Sequence, residues 1–547
     1  MPDLAHTLQG HDLGFLKIVA TAWGIELNAP DVHTALPLLT RQILVPGLVQ
    51  EVATALPAEA QQALQHLLEG EGRSTWASFC RRFGEIRPMG AARRDRERPD
   101  LKPASPTEIL WYRALIGRAI LNLPPEPQEY AYIPDDVLEL LPAFQPLPRR
   151  PLGRPASPAE CAHVILATDA ILDDSCTLLA SLRLGTEPGP GEVEGWQAPL
   201  PVVEQLLRSA RLIDYHNRPQ PEPVRRFLEA SRGAALAQLV QVWMQSLSFN
   251  ELRLLPGLLF EGEWQNQPAD SRQKILELLS QLPQDIWWNL PSFVNGVREQ
   301  NPDFQRPAGD YDSWFIRNEN SQTYLRGFSA WDEVDGALIR FIITGPLHWL
   351  GLYDLAAPDP QSPPVAFRPS QWSPSLWHGN PPALAEENAS LIISSDGRLE
   401  VPRLAPRTAR YQIARFAQWE GRKGNGDVYR ITPAALERAQ KQGLRSSHLL
   451  AILRRYASRA VPPALLQALE RWEKFGSQAH IESVMLLRVA SPEIIETLRK
   501  TKAARFLGEA LTPTVVIVRP GGETPLRNAL AQAGYLAEAH FVSGSDV

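Results

Sequence analysis

Lysine is scarce in this chain: only eight of its 55 cationic residues are lysine, and the rest are arginine. Such a bias can come from genome composition, so arginine richness alone does not establish a nucleic-acid partner. Cysteine is scarcer still. Three residues, Cys80, Cys161 and Cys176, are too few and too widely spaced for a disulfide framework, and they fit a reducing, cytoplasmic compartment. Long apolar runs are missing. The most apolar window, 337–355, contains Arg340, Pro346, His348 and Asp354, which makes it a buried helix running into a strand and not a membrane span. The N-terminal residues lack a basic region ahead of an apolar run, so no signal peptide is expected.

Catalytic signatures are absent too. No glycine is directly followed by lysine, so no Walker A loop can cradle phosphates. There is no H-E-x-x-H, C-x-x-C or G-x-S-x-G, and the eleven histidines show no ligand spacing. Asp332-Glu333-Val334-Asp335 has the look of a helicase metal motif, but without a phosphate loop elsewhere it reads as a helix N-terminus. His348, in an apolar run beside Trp349, reads as a satisfied core histidine. These observations predict a non-enzymatic protein with no cofactor and no bound metal.

Proline is what the chain has in excess: 50 in 547 residues, clustered at 143–158 and 357–383. Proline fixes φ and removes a donor, so neither stretch is expected to form helix or central strand. Phe367, Trp372 and Trp377 predict that the second stretch is draped on the surface with its aromatics anchored. The divisions expected are a helical, helix-turn-helix-like domain over 1–150, a tryptophan-rich helical domain over 158–356 with a winged-helix character, a draped linker over 357–385 and a C-terminal domain over 386–547.

Within the first domain, apolar residues at Ala60, Leu64, Leu67 and Leu68 predict a helix that ends at Gly70. Ser74 opens a second helix that stops at Gly84. Ser105-Pro106-Thr107-Glu108 opens a third, predicted to reach Ile120. The run from Ala91 to Arg98 interleaves arginine with Asp95 and Glu97 and reads as a solvated loop. In the middle region, helical spacing covers 158–184, 200–212, 221–245 and 271–282. Few cations neighbour its tryptophans in sequence, so these read as core.

Charge is uneven. Residues 398–510 carry 21 Lys or Arg against 10 Asp or Glu, and residues 511–547 carry 2 against 3. The whole chain is −6, which leaves the first 397 residues at −16. A basic C-terminal part on an acidic body can dock on phosphate while the body is repelled by it.

The C-terminal part is also the best punctuated. Asp396-Gly397 joins two apolar strands and predicts a two-residue hairpin turn with both residues at positive φ. An arginine-rich stretch, 403–419, reads as helical. Tyr429-Arg430-Ile431 leads to Thr432-Pro433, a cap followed by proline at N1. Three short capped helices follow, then a strand from Ser483 to Val489, a helix, the β-branched strand Thr514–Val518 and a last helix. This order resembles the N-terminal domain of XPB-type helicases, a helicase-associated domain, over about residues 388–541, in a protein lacking the motor. The resemblance implies a DNA-directed or helicase-associated module. The whole chain is expected to be mainly α with small β elements, with winged-helix-like helical domains before a C-terminal α/β (α+β) domain.

The function expected is that of a non-catalytic accessory protein of a helicase, repair or transcription machine. Its partners would be DNA and a helicase or other nucleic-acid enzyme, with no membrane. A protein–protein adaptor that barely touches DNA is the alternative. The candidate phosphate contacts are Arg407, Arg410, Arg438, Lys441, Arg445, Arg454, Arg455, Arg459, Lys500, Lys502 and Arg505.

Without a phosphate loop, the purified chain is predicted not to bind ATP at micromolar concentrations, with or without DNA. Calorimetry showing stoichiometric ATP binding would contradict that prediction.

Overall fold

The computed structural model describes residues 1–122, 127–141, 151–306, 309–479 and 484–538. The chain divides into two compact units, Met1–Pro462 and Pro463–Val547. The class is the expected one, mainly helical with small antiparallel sheets. The division falls inside the 386–547 segment, between its second and third capped helices. No single helix among the described residues is long and apolar enough to cross a membrane.

The N-terminal part packs helices Leu13–Ala22, Val32–Ile43 and Ala58–Glu69 around Leu16, Val19, Leu39, Leu64 and Leu67. Strand Arg73–Thr75 and helix Trp76–Phe83 follow, and the helix stops at Gly84. Gly84 has φ +85°, and a Cβ there would lie 2.5 Å from Ser105 Cβ, so only glycine fits. Ser105 caps the next helix by accepting from the Glu108 N–H. That helix is Pro106–Trp111, shorter than expected. Ala114 turns the chain at φ +51°, and Gly117–Leu121 becomes a strand paired with Gln128–Tyr132. The 91–98 run departs from the loop reading as well: Ala91–Glu97 is a helix. Arg94 is buried there and grips both oxygens of Asp12, 82 residues away, at 2.8 and 2.9 Å.

The middle part holds a four-stranded antiparallel sheet in the order His163–Ile165, Tyr353–Ala357, Ala366–Pro369, Trp288–Asn289. Ala366–Pro369 is therefore an inner strand inside a proline-rich stretch expected to exclude one. Pro363 and Pro364 precede the strand, and Pro369, opposite Tyr353, is its last residue, while Phe367 is buried. Of the first proline stretch, residues 142–150 lie outside the described residues, and Pro155 bridges to Trp288. The expected helix over 158–184 is a short 3-10 turn, a strand and helix Ile171–Arg183. The expected 221–245 helix is two, Pro221–Glu229 and Arg232–Gln245, with Ser231 capping the second.

Tryptophan packs inward here as expected, but cations do accompany it. Arg272 lies 5.4 Å from the Trp243 ring centre and Arg306 4.4 Å from that of Trp314. Both guanidiniums are held by buried acids. Arg272 Nε meets Glu251 at 2.6 Å, and Arg306 Nε meets Asp335 at 3.0 Å. Asp335 is thus a structural ion-pair member within the helical run 332–344. His348 is buried with Nδ1 2.9 Å from the Tyr353 carbonyl, and burial lowers its pKa.

Residues 386–462 complete the first unit. Strands Ile392–Ile393, Arg398–Val401, Gly426–Ile431 and Ala417–Lys423 form one antiparallel sheet in that order. The hairpin at Asp396-Gly397 exists, but only Gly397 adopts positive φ, at +83°. Ser394 N–H donates to Arg398 O and Gly397 N–H to Ser394 O, which is a three-residue loop closed by a left-handed glycine. The 403–419 stretch is helical only over Arg407–Ile413, before the strand at Ala417.

This segment is fastened to the middle helices by ion pairs. Arg232, with no exposed side-chain surface, reaches Asp169 at 2.5 Å, Asp173 at 2.9 Å and Glu387 at 3.2 Å. Arg403 binds the same two aspartates from the other side. Arg407 reaches Glu387 at 2.6 Å and the Ala230 carbonyl at 2.7 Å. Asp173, Cys176 and Thr177 share one face of helix Ile171–Arg183, by the three- and four-residue spacing, and that face meets helix Arg407–Ile413. The next residue, Asp174, is buried beside this network with one oxygen unpartnered.

The second unit has its own core. Ile494, Ile495 and Leu498 pack against Val516, Val518, Leu526 and Leu530. Its sheet runs Met485–Arg488, Val515–Val518, Leu507–Thr512, with the expected strand starting at Met485; Ser483 lies outside the described residues. The outer strands are each antiparallel to the middle one, so they are parallel to each other, a split β-α-β arrangement.

Two outcomes follow. Residues 463–547 expressed alone are expected to fold, giving dispersed amide proton resonances; a collapsed amide spectrum would refute this. Burial, then Asp173, push the Asp174 carboxyl up to about 7, against the pull of Arg422 and Arg410. A raised acid favours the fold while protonated, and that contribution is lost as pH climbs from about 4 to about 7. Asp174→Asn is therefore expected to stabilise the first unit at pH 8 by about 4 kcal/mol and to do little at pH 4. Urea unfolding at the two pH values checks it; equal effects at both would count against it.

Candidate nucleic-acid interface

The eleven expected contacts fall into three groups. Arg407 and Arg410 are consumed by the fold. Arg407 is 1% exposed and bound to Glu387. Arg410 pairs with Asp427 at 2.9 Å and also reaches Thr177 and Tyr429. Burial opposes its charge, but Tyr429 and Asp427 hold its pKa above the ordinary arginine value. Neither guanidinium is free to meet a ligand. Their partners lie on other elements, so spacing within helix Arg407–Ile413 could not have shown this.

The second group stays at the surface of the first unit. Thr432 caps helix Pro433–Lys441 by accepting from the Ala435 N–H, and Pro433 occupies N1. Ala435, Leu436 and Ala439 point inward, which leaves Lys441 exposed and Arg438 half-buried. Gly443, at φ +76°, turns the chain into helix Ser446–Tyr456. Arg445 sits at its N-cap, where its backbone N–H donates to His448 Nδ1 at 3.0 Å. Leu449 and Leu453 form the buried face. Arg455 is two residue steps from Leu453, roughly 200° around the helix, and points outward with Ala451. Arg454 lies on the flank, about 100° from Leu453. Arg459 follows the helix end and is exposed.

None of Arg438, Lys441, Arg445, Arg454, Arg455 and Arg459 forms an ion pair among the described residues. The reason is in the sequence: from Arg438 to Leu469 there is no Asp or Glu at all. By contrast, most cations in the preceding sheet are paired, Arg422 reaching only the Glu192 carbonyl. Arg398 and Arg430 both bind Glu420, and Lys423 binds Glu400 at 2.6 Å. The acid-free run separates the two populations, and it was a sharper signal than the summed charge.

The third group, Lys500, Lys502 and Arg505, lies on the second unit. All three are exposed, around the 3-10 turn Lys502–Phe506, and Arg505 stacks 4.7 Å from the Phe506 ring centre. Thr501 caps this turn by accepting from the Ala503 N–H.

Among the described residues, no three His, Cys, Asp or Glu side chains gather where they could hold a metal ion. The three cysteines are free thiols, and burial raises the pKa of each.

No curated protein matches the chain. A family model described as helicase conserved C-terminal domain matches residues 391–512, the stretch that holds the hairpin, the acid-free helices and the exposed lysines of the second unit. The match identifies a helicase-related domain.

Proposed function

We propose that this chain is a non-catalytic, DNA-directed accessory protein of a helicase-type machine. It contacts the nucleic-acid backbone through the exposed cations between Arg438 and Arg459, and through Lys500, Lys502 and Arg505 on the second unit. The observation that carries this reading is a surface stretch with six cations, no acid and, among the described residues, no ion pair, inside the helicase-related segment. Exposed guanidiniums already neutralised by carboxylates gain little from phosphate. Unpaired ones release counterions from DNA when they bind.

Two features support the finer reading. Over about residues 388–541, the order of hairpin, capped helices and split sheet is the one that resembles the N-terminal domain of XPB-type helicases. In the N-terminal part, Ala58–Glu69, Arg73–Thr75, Trp76–Phe83, Pro106–Trp111 and the hairpin Gly117–Leu121/Gln128–Tyr132 follow the order of a winged helix. Of its basic residues, Arg94, Arg98 and Arg118 are paired, to Asp12, Asp100 and Glu129, while Lys17, Arg41, Arg96 and Lys102 are exposed and in no ion pair among the described residues. A second reading, a protein–protein adaptor, is favoured by the net −16 of the first 397 residues, which repels phosphate.

The two readings separate on one experiment. On the accessory-protein reading, the full-length chain binds a short fluorescent DNA, and affinity falls steeply with salt, with a log–log slope of about −0.9 per phosphate contact on duplex. Replacing Arg454, Arg455 and Arg459 together with glutamate is expected to abolish that binding while the circular dichroism spectrum is unchanged. DNA binding that survives both the triple reversal and high salt would place the contact elsewhere, and no binding to begin with would favour the adaptor.

A further inference from the structure

Most arginines at the junction of the middle helices with the basic segment have acids to meet. Arg183 and Arg415 do not. Arg183 is the last residue of helix Ile171–Arg183, and its guanidinium lies 4.6 Å from the Tyr411 ring centre. Its Nη1 is buried and has no hydrogen-bond partner. Arg415 follows helix Arg407–Ile413 by two residues. Its Nε and Nη2 both donate to one neutral acceptor, Gln442 Oε1, at 3.3 and 3.2 Å. Neither arginine forms an ion pair among the described residues, although Arg232, Arg403, Arg407 and Arg410 around them all do.

Arg415 lies four residues beyond Tyr411, the residue whose ring Arg183 stands against, so both cations sit at the end of helix Arg407–Ile413. Burial lowers the pKa of Arg415, and the charge of Arg183 lowers it further. The C-terminal carbonyls of helix Ile171–Arg183 offset about half a charge, which leaves roughly +1.5 unbalanced.

From this arrangement we infer that Arg183 and Arg415 form an oxyanion site for a phosphate group at the junction of helix Ile171–Arg183 with helix Arg407–Ile413. A phosphate supplies the acceptor that Arg183 Nη1 lacks and cancels the repulsion between the two cations. Planar guanidiniums match its oxygens in pairs. The inference extends the proposed function, because a nucleic-acid backbone presents such a group; free phosphate presents the same chemistry.

The test uses the full-length chain and inorganic phosphate. Isothermal titration is expected to show saturable binding at one site. Thermal unfolding is expected to shift upward in phosphate against chloride at matched ionic strength. Arg183→Met and Arg415→Met keep the aliphatic packing, and each is expected to weaken phosphate binding roughly tenfold or more. Arg415→Met is expected to unfold no earlier than the unaltered chain in phosphate-free buffer, because repulsion is relieved. Absence of saturable phosphate binding by the unaltered chain would overturn the inference, whatever the variants do. So would phosphate binding unchanged in both variants. A fluorescent DNA arm keeps the two proposals apart. Phosphate binding that is lost in the variants, with no DNA binding by the unaltered chain, leaves the site standing and removes the nucleic-acid reading.

Discussion

Arg232 has no exposed side-chain surface, and three carboxylates converge on it. A guanidinium can be taken out of water only if nearly all its N–H groups find acceptors and its charge is met. Asp173 lies on helix Ile171–Arg183 and Asp169 just before it, and Glu387 comes from the start of the basic segment. Satisfying Arg232 therefore brings two distant stretches of chain together. Arg403 and Arg407 then bind the same acids from the basic side. The placement of helix Arg407–Ile413 depends on this network, and the sheet and helices that follow take their position from it. Removing one member of such a group leaves uncompensated buried charge, typically about 3–5 kcal/mol.

The same device recurs away from the seam. Glu251 with Arg272 and Asp335 with Arg306 are buried acid–arginine pairs, and each guanidinium also lies against a tryptophan ring. Burial raises both acids, and the arginine beside each opposes that rise. Arginine serves these places better than lysine because its planar fork fills several acceptors at once and also stacks on aromatic faces. The strong preference for arginine over lysine thus has a structural use in this fold, separate from any nucleic-acid contact.

Local chemistry was legible in the sequence wherever it is settled within a few residues. Ser105 and Thr432 cap the helices they were expected to cap, and Gly84, Gly397 and Gly443 sit at the turns they mark. The three capped helices of the C-terminal part begin and end within a few residues of expectation. What failed depended on partners far along the chain. Ala91–Glu97 is a helix because Arg94 finds Asp12, and Ala366–Pro369 is an inner strand because Tyr353–Ala357 and Trp288–Asn289 lie on either side. Arg407 and Arg410 have partners 177 and 233 residues away, at Ala230 and Thr177, which no spacing rule reaches. Arg183 and Arg415 went unnoticed for the same reason, since 232 residues separate two charges that the fold makes neighbours.

Exposed charges are screened over about 8–10 Å at ordinary ionic strength, whereas buried pairs are screened far less. Raising salt therefore weakens whatever Arg454, Arg455 and Arg459 hold and leaves the Arg232 network nearly intact. A substitution has no such selectivity: Arg407 and Arg454 carry the same charge, yet replacing the first unseats a helix and replacing the second alters only the surface. Loss of binding on replacing an arginine carries information about nucleic acid only at positions where no carboxylate already holds it. Between Arg438 and Leu469 those positions are marked by the absence of acid more clearly than by the presence of base.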